Sequence, residues 1–319
     1  MKTVFLFPGQ GAQYPGMAKD LYDYSGAVRD MVASASDIAG KDMAALLFNG
    51  TEEELKQTDN TQIAITVANL AARQVLSEFG LHSDSSAGFS LGEYAALVDA
   101  GVLDATAAFQ LVLHRGRIME TVSRSLDDEA GRAGMVAAMG KDMPEIEAIL
   151  SGAGLSDAFP SLYNSPVQTV VGGTATGLSA ATAALKAGGV RRVIPLKVSG
   201  PFHTPLMAPA RAAFADLACD VEYRDPRHPV YSNVTGAPVA SAEEARTLCL
   251  DQLVRTVRWT SEEQRILADG ADLVLEVGPG SVLQGLWKAV GKADQAWPVD
   301  RCRTAGTLEE IEALAKEIG

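Results

Sequence analysis

Hydrophobic positions change their spacing several times along the chain, and each change marks an element. Thr3–Phe7 is a short, nearly unbroken apolar run of strand length, closed by the glycine-rich turn Pro8-Gly9-Gln10-Gly11. The stretch that follows is mostly helical, and between Asn60 and Phe79 apolar residues recur at helical spacing. Ser86–Phe89 fits a short strand, Leu91–Ala100 a helix, and Asp104 caps a further helix through His114 to Val122. Ser123–Gly134 is polar, charged and glycine-containing, which marks a boundary.

Past that boundary the pattern becomes strand (Met135–Met139), helix (Met143–Leu150), two strands around a Ser-Pro turn (Phe159–Asn164 and Thr169–Val171), helix (Leu178–Ala187) and strand (Val190–Leu196). That succession, β-α-β-β-α-β, is the ferredoxin-like split unit. The pattern predicts a small inserted domain over 128–197. Residues 1–127 and 198–319 then form one larger α/β domain, in which helices alternate with single strands such as Leu273–Val277.

Composition narrows the classes without choosing among enzymes. With 47% hydrophobic and 21% charged residues in 319, the chain can bury a sizeable core. A formal net charge of -13 removes the general field that draws proteins to nucleic acid or anionic membranes. An acidic ligand therefore needs a local basic patch. Cys219, Cys249 and Cys302 lie far apart with no zinc spacing, and they read as reduced thiols. The apolar run at the start is shorter than a secretory signal, and no segment is long enough to span a bilayer, so a cytoplasmic protein is expected.

Gly88-Phe89-Ser90-Leu91-Gly92 matches G-x-S-x-G between a strand and a helix. A sharp strand-to-helix turn needs glycines where side chains would clash, and it lifts the serine hydroxyl out of the sheet. It also leaves the Leu91 N–H free at a helix N-terminus, where a developing oxyanion is stabilised. Serine requires a base, and the chain holds four histidines. His82 and His228 have the settings of surface residues. His114 lies on a helix, and His203 follows the turn Gly200-Pro201-Phe202 at the return from the insert. Spacing alone leaves His114 and His203 both open.

Phe7-Pro8-Gly9-Gln10-Gly11-Ala12-Gln13 resembles the F-P-G-Q-G-x-Q opening of the malonyl-CoA:acyl carrier protein transacylase family. Gly88–Glu93 resembles its G-H-S-L-G-E segment, and Arg115-Gly116-Arg117-Ile118-Met119 its R-G-x-x-M. Phe202-His203 with Leu206-Met207 is similar to F-H-x-x-L-M, Gln252 and Trp259 fit a further family region, and Glu276–Gly280 is similar to E-V-G-P-G. The resemblance implies a hydrolase-like α/β domain with a ferredoxin-like insert, in agreement with the pattern. It also implies transfer of malonyl from malonyl-CoA to the phosphopantetheine thiol of acyl carrier protein, supplying fatty acid synthesis, with no metal and no cofactor. The alternatives are a discrete acyltransferase of a polyketide or other carrier-protein system, and a serine esterase.

Residue by residue, the resemblance makes Ser90 the nucleophile and His203 the base. The Gln10 and Leu91 N–H groups form the oxyanion hole, and Arg115 binds the malonyl carboxylate through a planar guanidinium that lysine cannot reproduce. A backbone carbonyl near Gln252 orients the imidazole; Asp251 and Asp300 are acidic alternatives. Phe202 restricts room at the acyl α-carbon, Asn164 lines the site or serves a turn, and Glu276 and Gly278 shape a turn. Phe89 stands where the family usually has histidine. Lys186, Arg191, Arg192 and Lys197 are the candidate basic patch for an acidic carrier, with Arg191 and Arg192 on opposite faces of a strand.

Overall fold

The computed structural model of the chain describes residues 1–318. Eight strands are found among them: β1 (Thr3–Phe7), β2 (Ser85–Gly88), β3 (Gly134–Met139), β4 (Ala158–Ser165), β5 (Gln168–Gly173), β6 (Arg192–Pro195), β7 (Leu273–Glu276) and β8 (Cys302–Thr304). They form two sheets, a parallel one in the order β2-β1-β7-β8 and an antiparallel one in the order β4-β5-β3-β6. The protein is thus a mixed α/β structure.

The apolar run of β1 follows from its central position in the parallel sheet, where both faces are covered. Phe5 and Phe7 face a core built with helices Thr58–Glu78, Gly92–Asp99 and Ala105–Ser125. Val4 and Leu6 face Trp259, Ile266, Leu283 and Trp287, on the helices Trp259–Ala268 and Val282–Val290. In the second sheet the alternation of β3 divides two cores. Val136 and Ala138 pack on Ile146, Leu150, Ala181 and Leu185 from its two helices, whereas Met135 and Ala137 join the larger core.

The parallel register brings three turns to one end of the sheet. Phe7 pairs with Gly88 and Leu6 with Glu276, so the turns after β1, β2 and β7 leave side by side. This is the carboxyl edge, where open α/β sheets gather ligands. The glycines let these turns pack backbone against backbone. A methyl on Gly92 would collide with the Phe7 carbonyl oxygen, one on Gly9 with the Phe89 carbonyl oxygen, and one on Gly88 with the Gly92 backbone.

Pattern and structure differ in detail. The chain leaves β2 at Gly88, one residue earlier than expected, because Phe89 already belongs to the turn, although its N–H still donates to Phe7 O at 2.9 Å. Regular pairing at the second sheet's edge covers only Arg192–Pro195. The three-residue β8 carries no periodic signal.

These contacts separate two kinds of glycine. Gly88→Ala is expected to lower stability by about 1–3 kcal/mol or more through overpacking. Gly285 is exposed inside the helix Val282–Val290 with open space at its Cβ position, and Gly285→Ala is expected to raise stability by roughly 0.5–1 kcal/mol. Thermal unfolding of the two variants beside wild type checks both signs.

Candidate active site

Ser90 sits at the tip of the turn between β2 and the helix Gly92–Asp99, with φ at 51°. A left-handed backbone is costly for a residue with a Cβ, by about 1–2 kcal/mol, and survives only where the surroundings over-determine it. Three hydrogen bonds bracket the turn: Phe89 N–H to Phe7 O, Ser90 N–H to Asn233 Oδ1 at 2.7 Å, and Gln252 Nε2 to Ser90 O at 3.0 Å.

His203 is also left-handed, with φ at 58°, in the loop that returns from the second sheet. Thr204 Oγ1 donates to Pro201 O, and Ser161 Oγ on β4 donates to Phe202 O at 2.7 Å, so both sides of the histidine are fixed. Its Nε2 lies 2.7 Å from Ser90 Oγ and its Nδ1 2.7 Å from the Gln252 carbonyl oxygen. A carbonyl can only accept, so Nδ1 carries the proton and Nε2 is left to accept from the serine. Burial, and then the nearby Arg115 charge, push the His203 pKa down to about 3. The imidazole is therefore held neutral, the form a general base requires.

Arg115 projects from the helix Ala105–Ser125 and is almost wholly buried. Gly116 beside it lets that helix approach Thr58–Glu78 closely, since a methyl there would sit 2.8 Å from Thr58 O. Across this contact Arg115 Nη1 donates to Gln62 Oε1 at 2.9 Å, while Nη2 donates to Gln252 Oε1 at 2.9 Å and lies 3.5 Å from Ser90 Oγ. The guanidinium also lies over the Tyr94 ring, 5.6 Å from its centre. Its direct hydrogen-bond partners are neutral. A buried guanidinium has five donors, and Nε finds no partner among the described residues. The arrangement leaves a buried cation, with donor capacity to spare, beside the Ser90 hydroxyl.

A small cavity connects these groups, lined by Gln10, Phe89, Ser90, Leu91, Arg115 and Met119 from the large sheet's side. Met135, Leu162, Val198, Phe202 and His203 close it from the other. Neither the Leu91 nor the Gln10 N–H donates to another group among the described residues, so both remain available to an oxyanion at this wall. The Pro8-Gly9-Gln10 turn is set by Asn69, whose Nδ2 donates to Pro8 O at 2.9 Å and whose Oδ1 leaves no room for a side chain at Gly278.

The structure thus brings together Ser90, His203, Arg115, Gln252, Phe202, Gln10 and Leu91. Asn164 does not join them: it is buried in β4, apart from the cavity lining. The acidic alternatives are elsewhere, Asp251 paired with Arg211 and Asp300 exposed. His114 opens onto another cavity, with Ile38, Leu217 and Val221. His228 is no free surface residue, because its Nε2 lies 2.9 Å from Ser86 Oγ, next to Asp99. Glu276 does more than shape a turn; its carboxylate accepts the N–H groups of Leu283 and Gln284 at a helix start. Phe89 packs edge-on against Trp259, with ring centres 5.4 Å apart.

Several contributors carry no role in the sequence reading, among them Gln62, Glu93, Asn233 and Glu262. Glu93 accepts from Gln252 Nε2, and burial raises its pKa to about 7. Asn233 and Glu262 lie directly beneath the elbow. The only signal for Asn233 was a polar turn, Ser232–Gly236, after the apolar Val230-Tyr231, and Val230 bridges to Ser86 beside β2.

Comparisons with known proteins give the chain's relatives. The acyl transferase domain family matches residues 4–313. A malonyl CoA-acyl carrier protein transacylase of Bacillus subtilis is 36% identical over 295 residues, covering 91% of this chain and 91% of the relative. The crystal structure of MCAT from Streptococcus pneumoniae superposes with a TM-score of 0.90 at 36% identity, over 99% of this chain and 100% of the other. A malonyl-transacylase in complex with a type II PKS acyl-carrier protein gives 0.90 at 34% identity, over 99% and 100%.

The depressed His203 pKa has a consequence for stability. In the unfolded chain this histidine takes up a proton near its ordinary value of 6.5, but in the folded chain only near about 3. Between those values the unfolded state binds more protons, so stability falls on acidification through that window and is fully present above it. Relative to His203→Gln, wild type is expected to lose up to about 1.4 kcal/mol per pH unit there. Urea unfolding of both proteins at several pH values checks it; the opposing Glu93 titration is common to the two and cancels.

Proposed function

The chain belongs to the acyl transferase domain family, and on that premise we propose that it carries a malonyl group from malonyl-CoA to the phosphopantetheine thiol of an acyl carrier protein, through an ester on Ser90. The observation that carries this reading is the buried Arg115 guanidinium, held by neutral amides beside a serine–histidine pair. An esterase for neutral esters has no use for such a charge.

His203 Nε2 takes the Ser90 Oγ proton as the oxygen bonds to the thioester carbonyl carbon. The Leu91 and Gln10 N–H groups receive the oxyanion. Collapse breaks the carbon–sulfur bond, and the proton on Nε2 goes to the leaving thiolate. The carrier thiol then repeats the steps in reverse, giving its proton to Nε2 and taking the malonyl group. The Gln252 carbonyl holds the imidazole in the required tautomer throughout. Every bond change is served by these groups, so the reading requires no metal or redox cofactor.

Arg115 also links recognition to basicity. Its charge is the second cause, after burial, of the low His203 pKa. A malonyl carboxylate on the guanidinium offsets that field and raises the basicity of His203 as the substrate arrives. An acetyl group brings no such charge. Phe202 and Leu162 wall the cavity with apolar surface, which suits a short unbranched acyl chain.

The succession of elements and the strand order β4-β5-β3-β6 support reading 128–197 as a ferredoxin-like insert in a hydrolase-like domain formed by 1–127 and 198–319. Lys186, Arg191, Arg192 and Lys197 are exposed on that insert and the chain leaving it, and none is in an ion pair among the described residues. An acidic carrier docking on an acidic enzyme would use such a patch. Supply of fatty acid synthesis in the cytoplasm is the setting we assign, and no helix among the described residues is long and apolar enough to cross a membrane.

Intact mass after mixing with malonyl-CoA tests the reading. Wild type is expected to gain one malonyl group and pass it to carrier, and Ser90→Ala to gain none. Rapid loss of the adduct to water with no transfer to carrier would overturn it in favour of an esterase. For Arg115→Ala, losing two charge-assisted hydrogen bonds of roughly 1.5–3 kcal/mol each should lower malonyl kcat/KM by at least about a hundredfold. Acetyl-CoA should be used relatively better. Steady-state kinetics with both donors gives the ratio, and equal losses would reduce Arg115 to a structural role.

A further inference from the structure

The strained Ser90 turn is held from beneath by one fully buried side chain. Asn233 Oδ1 accepts the Ser90 N–H at 2.7 Å, and Asn233 Nδ2 donates to Gly88 O at 2.7 Å and to Glu262 Oε1 at 2.9 Å. The same amide therefore grips the residue before the turn and the residue at its tip. Its orientation is forced. A flipped amide would set NH2 against the Ser90 N–H and oxygen against two acceptors. Glu262 holds the donor side in place and is itself fully buried on the helix Trp259–Ala268, whose Trp259 supports Phe89.

We propose that Asn233 is a positioning residue for the nucleophile, keeping Ser90 in its left-handed conformation so that Oγ faces His203 Nε2 and the Leu91 N–H faces the developing oxyanion, and that Glu262 in turn fixes the Asn233 amide. This rests on Ser90 as the acylated residue. No atom of Asn233 lines the cavity, so it touches neither substrate nor the transferred proton. Without the clamp, Ser90 relaxes toward an ordinary backbone conformation and both alignments fail together. Arg115 and Gln62 make no hydrogen bond to Asn233; the link between them runs through Gln252, whose Oε1 accepts from Arg115 at 2.9 Å and whose Nε2 makes a long 3.3 Å hydrogen bond to Asn233 Oδ1.

The signature of positioning is a loss of acylation rate per folded molecule with binding retained. Asn233→Ala and Asn233→Ser are made in the full chain. Rapid-quench mass analysis gives the malonyl-Ser90 rate, and malonyl-CoA affinity is measured in the Ser90→Ala background. The expected result is a rate about 10–100-fold below wild type, with a dissociation constant within about threefold. Reaction with a small serine-directed phosphonyl fluoride, which needs no carboxylate site, should slow in parallel. A purely structural role would lower the melting temperature and the fraction of active molecules but not the rate per active molecule. Should Asn233→Ala fail to fold, the Glu262 pair decides. Glu262→Leu should slow acylation more than Glu262→Gln, which keeps an acceptor for Asn233. Unchanged rates per folded molecule in the Asn233 variants, or equal rates in the two Glu262 variants, would overturn the inference. Wild type that forms no Ser90 adduct at all would instead overturn the assignment of the nucleophile.

Discussion

Close backbone contact among the turns at the carboxyl edge of the parallel sheet is the constraint on which the site depends. Gly9, Gly88 and Gly92 allow the turn after β1 and the turn after β2 to touch main chain to main chain, and Gly278 lets the turn after β7 close over Asn69. Side chains at these positions would wedge the turns apart. Held together, they leave Ser90 in a strained conformation and expose next to it two N–H groups that have no partner among the described residues. The strain is sustained by hydrogen bonds from several elements, so Ser90 inherits its position from the whole sheet edge.

The electrostatics of the pocket favour readiness over stability. A buried cation without a carboxylate partner costs folding free energy, and Arg115 tolerates this through amide bonds to Gln62 and Gln252 and the face of Tyr94. Its field acts on His203, which burial already disfavours in the charged form. An acidic triad partner would stabilise the imidazolium strongly, whereas the neutral Gln252 carbonyl fixes the tautomer and only partly offsets the downward push of burial and Arg115. Gln252 serves both groups, its backbone oriented to His203 and its side chain to Arg115 and Glu93. One residue thereby couples His203 to Arg115.

The second sheet contributes to chemistry as well as to shape. Ser161 on β4 fixes the carbonyl of Phe202, immediately before His203, and Gly172 on β5 leaves just enough room for Thr204 and Pro201. Met135 and Leu162 form part of the cavity wall. Distortion of this sheet would therefore be felt at His203.

By itself the sequence determined what depends on local geometry. Continuous apolar runs marked buried parallel strands, the spacing of apolar and polar residues marked the strand–helix order of the second sheet, and glycines around a serine marked the elbow, because each reflects the conformation of a few consecutive residues. Resemblance of ordered motifs extended this to Arg115, His203 and Gln252. Choices between distant residues were left to the tertiary structure. Spacing left His114 beside His203 and the motif resemblance chose His203, but its 2.7 Å approach to Ser90 comes from the path of the return loop. Asn164 falls outside the cavity because β4 carries it within the sheet, while Gln62, Asn233 and Glu262 enter the network from separate elements whose own patterns announce nothing beyond a helix or a turn. A hydrogen bond between residues far apart in the chain leaves no periodic trace in either segment, so only packing reveals which polar groups it has made neighbours.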